Sequence, residues 1–170
     1  MPAGRAGVWR EGLGDSQRND AAGLVAELDA AFAELKATVA GLDDAANTTV
    51  MQGSWAVKDI LAHMAGWHRE MAPALQRLAR GEKAIPDGMD YSEFDAWNAR
   101  FLEARRGMTP AQVEAELDES FADFRAALLA VPEARRQPGR TAGKIAHEAG
   151  IDHYRHHAAQ IRAWRQRAGR

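Results

Sequence analysis

A chain of 170 residues is long enough for one hydrophobic core and short for two. Its 22 basic and 24 acidic residues leave a net charge of -2 with no long block of either sign, which argues against a nucleic-acid partner. Cysteine is absent, so thiolate nucleophiles, disulfides and cysteine-held metals are excluded, and any metal falls to His, Asp or Glu.

Residues 1–18, rich in Gly and Arg, read as a flexible leader in which Trp9 can dock locally, and 19–170 read as a single domain. The leader lacks the apolar stretch of a signal peptide. No run of about 18 apolar residues occurs later, so a soluble, cytoplasmic protein without a membrane partner is expected. Leu28, Phe32, Leu35, Val39 and Leu42 alternate steps of four and three, which predicts a first long helix ending near Gly41. DDAANTTVMQG reads as a loop, with Ser54 as the cap of a second long helix. That helix carries Val57, Ile60, Met64, Trp67, Met71, Leu75 and Leu78, and Pro73 inside it predicts a kink.

GEKAIPDGMD is turn-rich, and Phe94, Trp97 and Phe101 then mark a short helix. Thr109, Pro110 and Gln112 combine a cap, a first-turn proline and a capping-box residue at the start of a third long helix, whose stripe runs from Val113 to Val131. Thr141 is read as the cap of the last helix, with Ile145, Ala149, His153, His157, Ile161 and Trp164 in register. No segment alternates with period two. The chain is expected to be all-α: an up-down-type four-helix bundle with a short extra helix between the second and third long ones.

Four of the six histidines fall between Ile145 and Trp164. His153 and His157, one turn apart on the apolar face, have the spacing that lets one helix offer two imidazoles to a single metal. His63 sits beside the buried edge of the second helix and is the candidate third ligand. Three imidazoles without a thiolate suit Zn, Ni, Fe(II) or Mn and leave positions open for water or substrate. The competing interpretation is three neutral core rings with satisfied nitrogens. Glu70, two turns after His63, is a candidate general base or an exposed carboxylate. His68, His147 and His156 are assigned to the surface or a pocket rim.

The segment SWAVKDILAHMAGWH, then FDAWNARF and MTPAQVEAEL, and the late HYRHHAAQI resemble the DinB/YfiT-like superfamily, and most of all its ClbS/DfsB branch. The resemblance spans roughly residues 22–167. It implies a bundle with a metal triad at His63, His153 and His157. It also implies chemistry drawn from metal-dependent thiol transferases and isomerases, or from a ClbS-type hydrolase that opens a strained cyclopropane in a genotoxic product. A small-molecule substrate, a low-molecular-weight thiol as co-substrate, a detoxification or self-resistance role and a homodimer follow from the same resemblance. Trp67, Trp97 and Tyr154 are candidate pocket aromatics, and the resemblance suggests that Asn98 faces the site. Two other classes stay open: a protein that binds and sequesters a small molecule, and an interaction module whose aromatics lie at a dimer interface.

Overall fold

Apolar residues recurring every three or four positions wind four segments into long helices whose stripes turn toward one another. The computed structural model describes residues 21–137 and 139–169, so the expected leader, with Trp9, lies outside the described residues. Helix α1 (Ala21–Val39) is followed by a five-residue helix α2 (Asp44–Thr48) and a two-stranded hairpin, β1 (Val50–Gln52) with β2 (Trp55–Ala56). Then come α3 (Val57–Ala79), the short α4 (Phe94–Ala104) and α5 (Pro110–Ala130). A last helix is divided into α6 (Thr141–Ala146), a π-helical turn (His147–Ile151) and α7 (Asp152–Ala168).

The segment read as a plain loop before α3 is therefore structured. The Asp43 carboxylate accepts from the Ala46 amide at 2.7 Å and starts α2. Because Trp55 and Ala56 form β2, α3 begins three residues after Ser54, and the Asp59 carboxylate accepts from the Ala56 amide at 2.9 Å. The last helix likewise begins at Thr141, with Arg140 in the cap position instead of Thr141. The Thr109 start is as the sequence indicates: its hydroxyl accepts from the Gln112 amide and the Gln112 side chain from the Thr109 amide. α3 continues helically through Pro73, which removes the amide that would have served the Arg69 carbonyl.

Ion pairs fix the helix directions. Lys36 bonds Glu114 and Arg125 bonds Asp29, so α1 and α5 are antiparallel. Glu27 meets Arg155 and Glu34 meets Arg162, so α1 and α7 run parallel. Arg69 meets Asp123, and Arg135 just past α5 donates to the Leu78 carbonyl, so α3 and α5 run parallel. The bundle is thus up-down-down-up. The long return through residues 80–109, with α4 in it, carries the chain back along the bundle so that α5 starts where α3 started.

α3 packs chiefly on α5, and α1 chiefly on α7. Between these pairs lie Leu28, Leu35, Met64, Leu75, Leu117, Leu128 and Ile161, all fully buried, each worth about 1.5–3 kcal/mol relative to exposure. α4 is seated by a glycine: a Cβ on Gly66 would lie 2.2 Å from Phe101 Cγ, so only bare backbone admits that ring. Arg105, at the end of α4, grips Glu116 of α5 with two bonds of 2.8 and 2.6 Å. No helix among the described residues is long and apolar enough to cross a membrane.

Candidate metal centre

The π-helical turn comes immediately before the histidine pair. Such a turn takes in an extra residue and so rotates the downstream helix relative to the upstream one. Gly150 within it lies against α1, where a Cβ would fall 2.5 Å from Leu28 Cδ1. The four-residue series from Ile145 through His153 therefore crosses a change of helical phase that the spacing alone does not show. Past the turn, His153 and His157 point inward, at 5% and 8% exposure, and His63 of α3 meets them at 2%.

One ring nitrogen from each of His63, His153 and His157 lies within 4.8 Å of the other two. The ring centroids are 4.8–4.9 Å apart, and His63 Nε2 is 2.8 Å from His153 Nε2. His157 Nδ1 donates to the Gln160 side-chain oxygen at 2.7 Å, and His63 Nδ1 to the Asp59 carbonyl at 3.4 Å. With their protons on Nδ1, His157 and His63 keep unprotonated Nε2 atoms, the state in which imidazole binds a metal. Trp55 closes one side, its ring 4.7 Å from that of His63 and nearly edge-on.

Burial depresses all three rings. His63 is held well below the ordinary histidine range by desolvation and then by His157. His153 is held there by desolvation, then by His63 and His157. His157 is lowered to about 4 by burial, with the Gln160 bond working the other way. All three are neutral at pH 7, so a divalent ion displaces few protons on binding. The donor set of three neutral imidazoles without thiolate or carboxylate fits Zn, Ni or Fe(II), and a three-ligand site leaves coordination positions open.

The other candidate residues divide. Trp67 and Asn98 do meet, with the indole donating to the Asn98 oxygen at 2.9 Å, and Trp97 lies 6.4 Å from Trp67 between ring centroids. These three join α3 to α4. Tyr154 points the other way, fully buried, with its hydroxyl 2.5 Å from His68 Nε2. Glu70 accepts from the Tyr91 hydroxyl at 2.9 Å; seven residues of helix, about 10 Å of rise, separate it from His63. His68 corrects an expectation: assigned to the surface or a rim, it is fully buried and bonds Ser120 as well as Tyr154. Its position off the apolar stripe of α3 hid this, because α5 and α7 close over that flank too. His156 is exposed and takes the Gln160 amide, and His147 stands 3.5 Å from Asp152.

Sequence reasoning missed Gln160, although an amide three residues beyond a candidate ligand is the available signal. It also missed a cavity of about 370 Å³ between the start of α3 and the end of α4, lined by Trp55, Lys58, Asp59, Glu103, Arg105 and Arg106 among others. Trp55 borders both this cavity and His63.

The sequence model of the mycothiol maleylpyruvate isomerase N-terminal domain family matches residues 28–160. No curated protein matches the chain. Among solved structures, the sibling lethal factor precursor DfsB aligns at TM-score 0.73 and 15% identity, over 89% of this chain and 98% of its own. An uncharacterised protein of Escherichia coli UTI89 aligns at 0.73 and 15%, over 88% and 95%. The colibactin self-resistance protein ClbS, solved in complex with a dsDNA, aligns at 0.74 and 12%, over 86% and 95%. These likenesses show the DinB-like fold. The ClbS complex also overturns the exclusion of nucleic acid drawn from net charge. A whole-chain sum says nothing of how charge is distributed, and phosphate contacts need only a local cluster of cations.

Proposed function

The chain belongs to the mycothiol maleylpyruvate isomerase N-terminal domain family, and from that premise we propose a metal-dependent enzyme acting on a small molecule. His63, His153 and His157 are its ligands, and a low-molecular-weight thiol or water is its nucleophile. One observation carries the reading: three buried, neutral imidazoles from two helices bring a nitrogen each within 4.8 Å of one another. A divalent ion there supplies Lewis acidity and lowers the pKa of water or of a thiol at its open positions.

The chain's own residues do the rest. Gln160 and the Asp59 carbonyl hold the tautomers of His157 and His63. Trp55 packs against His63, and the cavity that Trp55 also borders is the approach for substrate. Lys58 and Asp59 stand at that cavity to orient polar groups of the substrate. Thiol-assisted chemistry, transfer or isomerisation, is favoured over hydrolysis because the family is named for mycothiol; a role in detoxification or self-resistance, set in the cytoplasm, is proposed with it, ClbS being a colibactin self-resistance protein. The dsDNA bound to ClbS brings DNA into the range of partners to assay.

The test is elemental analysis of untagged protein beside His63→Ala, followed by turnover of electrophilic small molecules with and without added thiol. Near-stoichiometric metal in the wild type and its loss in the variant is the expected result. Absence of metal from both, after reconstitution with Zn, Ni, Fe(II) and Mn, refutes it.

A further inference from the structure

The motif segments on α3 and α7 each contain a second polar residue that the triad leaves unused: His68, five residues beyond His63, and Tyr154, next to His153. They find each other. The Tyr154 hydroxyl donates to His68 Nε2 at 2.5 Å, His68 Nδ1 donates to Ser120 Oγ at 2.9 Å, and Ser120 Oγ donates to the Leu117 carbonyl at 3.1 Å. The chain has one direction, because Ser120 gives its proton to a carbonyl and must accept from Nδ1, which leaves Nε2 to accept from tyrosine. His68, Ser120 and Tyr154 are all fully buried, so every proton in the relay has one partner and no water competes.

We propose that the His68–Tyr154 bond, backed by Ser120, is a positioning device that sets α7 against α3 so that His153 and His157 meet His63. This rests on the metal reading of the triad. Main-chain packing ties α7 itself only lightly to α3, since α3 lies chiefly on α5 and α7 chiefly on α1, whereas α6 and the π-helical turn do reach α3. A helix sliding or turning on α1 would carry His153 and His157 away from His63; the His63–His153 bond resists this but belongs to the site itself, so a directional contact outside the triad is what can position it. The π-helical turn just before His153 heightens the need, being where the helix can change phase. Tyr154 supplies the contact one residue beyond His153, and Phe32 of α1 and Phe121 of α5 hold its ring at 5.5 and 6.2 Å. Tyr154 and His68 touch neither substrate nor metal; they act through the triad.

The test uses Co(II), whose visible absorption reports ligand geometry, together with Zn(II) competition on the full chain. Tyr154→Phe, which deletes one oxygen, is expected to weaken metal affinity about 10-fold, the scale of one buried hydrogen bond, and to shift the Co(II) band. Leu75→Val serves as a destabilised control far along α3, expected to lower Tm while leaving affinity and band alone. A folded Tyr154→Phe with wild-type affinity and band overturns the positioning role and leaves the triad standing. A wild type that shows no His63-dependent Co(II) band sinks both. Should Tyr154→Phe fail to fold, Ser120→Ala is scored by the same two readouts.

Discussion

His63 Nε2 and His153 Nε2 lie 2.8 Å apart, although 90 residues separate them in the chain. With its proton directed to the Asp59 carbonyl, His63 offers a lone pair to His153. In the metal-free protein His153 must therefore donate across that gap; to hold a cation through Nε2 it would carry its proton on Nδ1 instead.

Removing any one of the three rings leaves a two-ligand site. His63→Ala, His153→Ala and His157→Ala are each expected to purify without stoichiometric metal. His156→Ala should retain it, because the His156 ring is exposed and meets the far end of the Gln160 amide. Elemental analysis at matched concentration checks this, and equal content across all four rejects the assignment.

Gln160→Ala strips the partner from His157 Nδ1 without touching the ligand set. Metal affinity should fall about 10- to 100-fold while Tm of the apo-protein moves little, because the side chain is only half-buried. Competition titration against a chelator measures it; an unchanged constant removes Gln160 from the site.

Acid should destabilise the apo-protein through its buried histidines. Their folded pKa values lie below the unfolded value near 6.5: about 4 for His157, about 3 for His68, and lower than usual for His63 and His153, with burial the leading cause in each. The unfolded chain therefore binds more protons below pH 6.5, and stability is complete above that pH and falls as pH drops toward 4. Between pH 6.5 and 5 each fully shifted group costs about 2 kcal/mol. Urea unfolding of chelator-treated protein at pH 7 and pH 5 should show a lower midpoint at pH 5, and identical midpoints contradict the neutral-core account.

Gly66→Ala puts a methyl group where Phe101 Cγ already lies, at 2.2 Å. α4 must shift, at a cost of about 1–3 kcal/mol, and the Trp67–Asn98 bond should break with it. Lower Tm together with altered tryptophan fluorescence is expected; a wild-type Tm shows that the seat is not tight.

Glu70→Gln should leave metal content unchanged, because its carboxylate serves Tyr91 along the helix from the triad. Loss of metal in this variant would require a conformation of α3 in which Glu70 leaves Tyr91 for the triad.

The sequence by itself determined the long helices and marked three imidazoles as the candidates for a common site. Period and capping act locally: the Leu28-to-Val39 stripe, the Thr109–Pro110–Gln112 start and the HxxxH spacing each involve residues within one or two turns, so their outcome is written in short windows. Relationships between windows were not legible. The phase change at His147–Ile151 falls where Gly150 packs closely on Leu28, a contact between helices that HEAGI alone does not reveal. His68 looked like a surface residue because its stripe position describes one helix face, whereas burial is decided by how many neighbours close on that helix. Glu70, legible as a carboxylate two turns from His63, is drawn to Tyr91 by a return segment whose path no spacing rule fixes. Only the tertiary structure decided which nitrogens face one another, because hydrogen bonds and metal sites depend on distances of a few tenths of an ångström between helices, and these are set by the sum of side-chain volumes across the core.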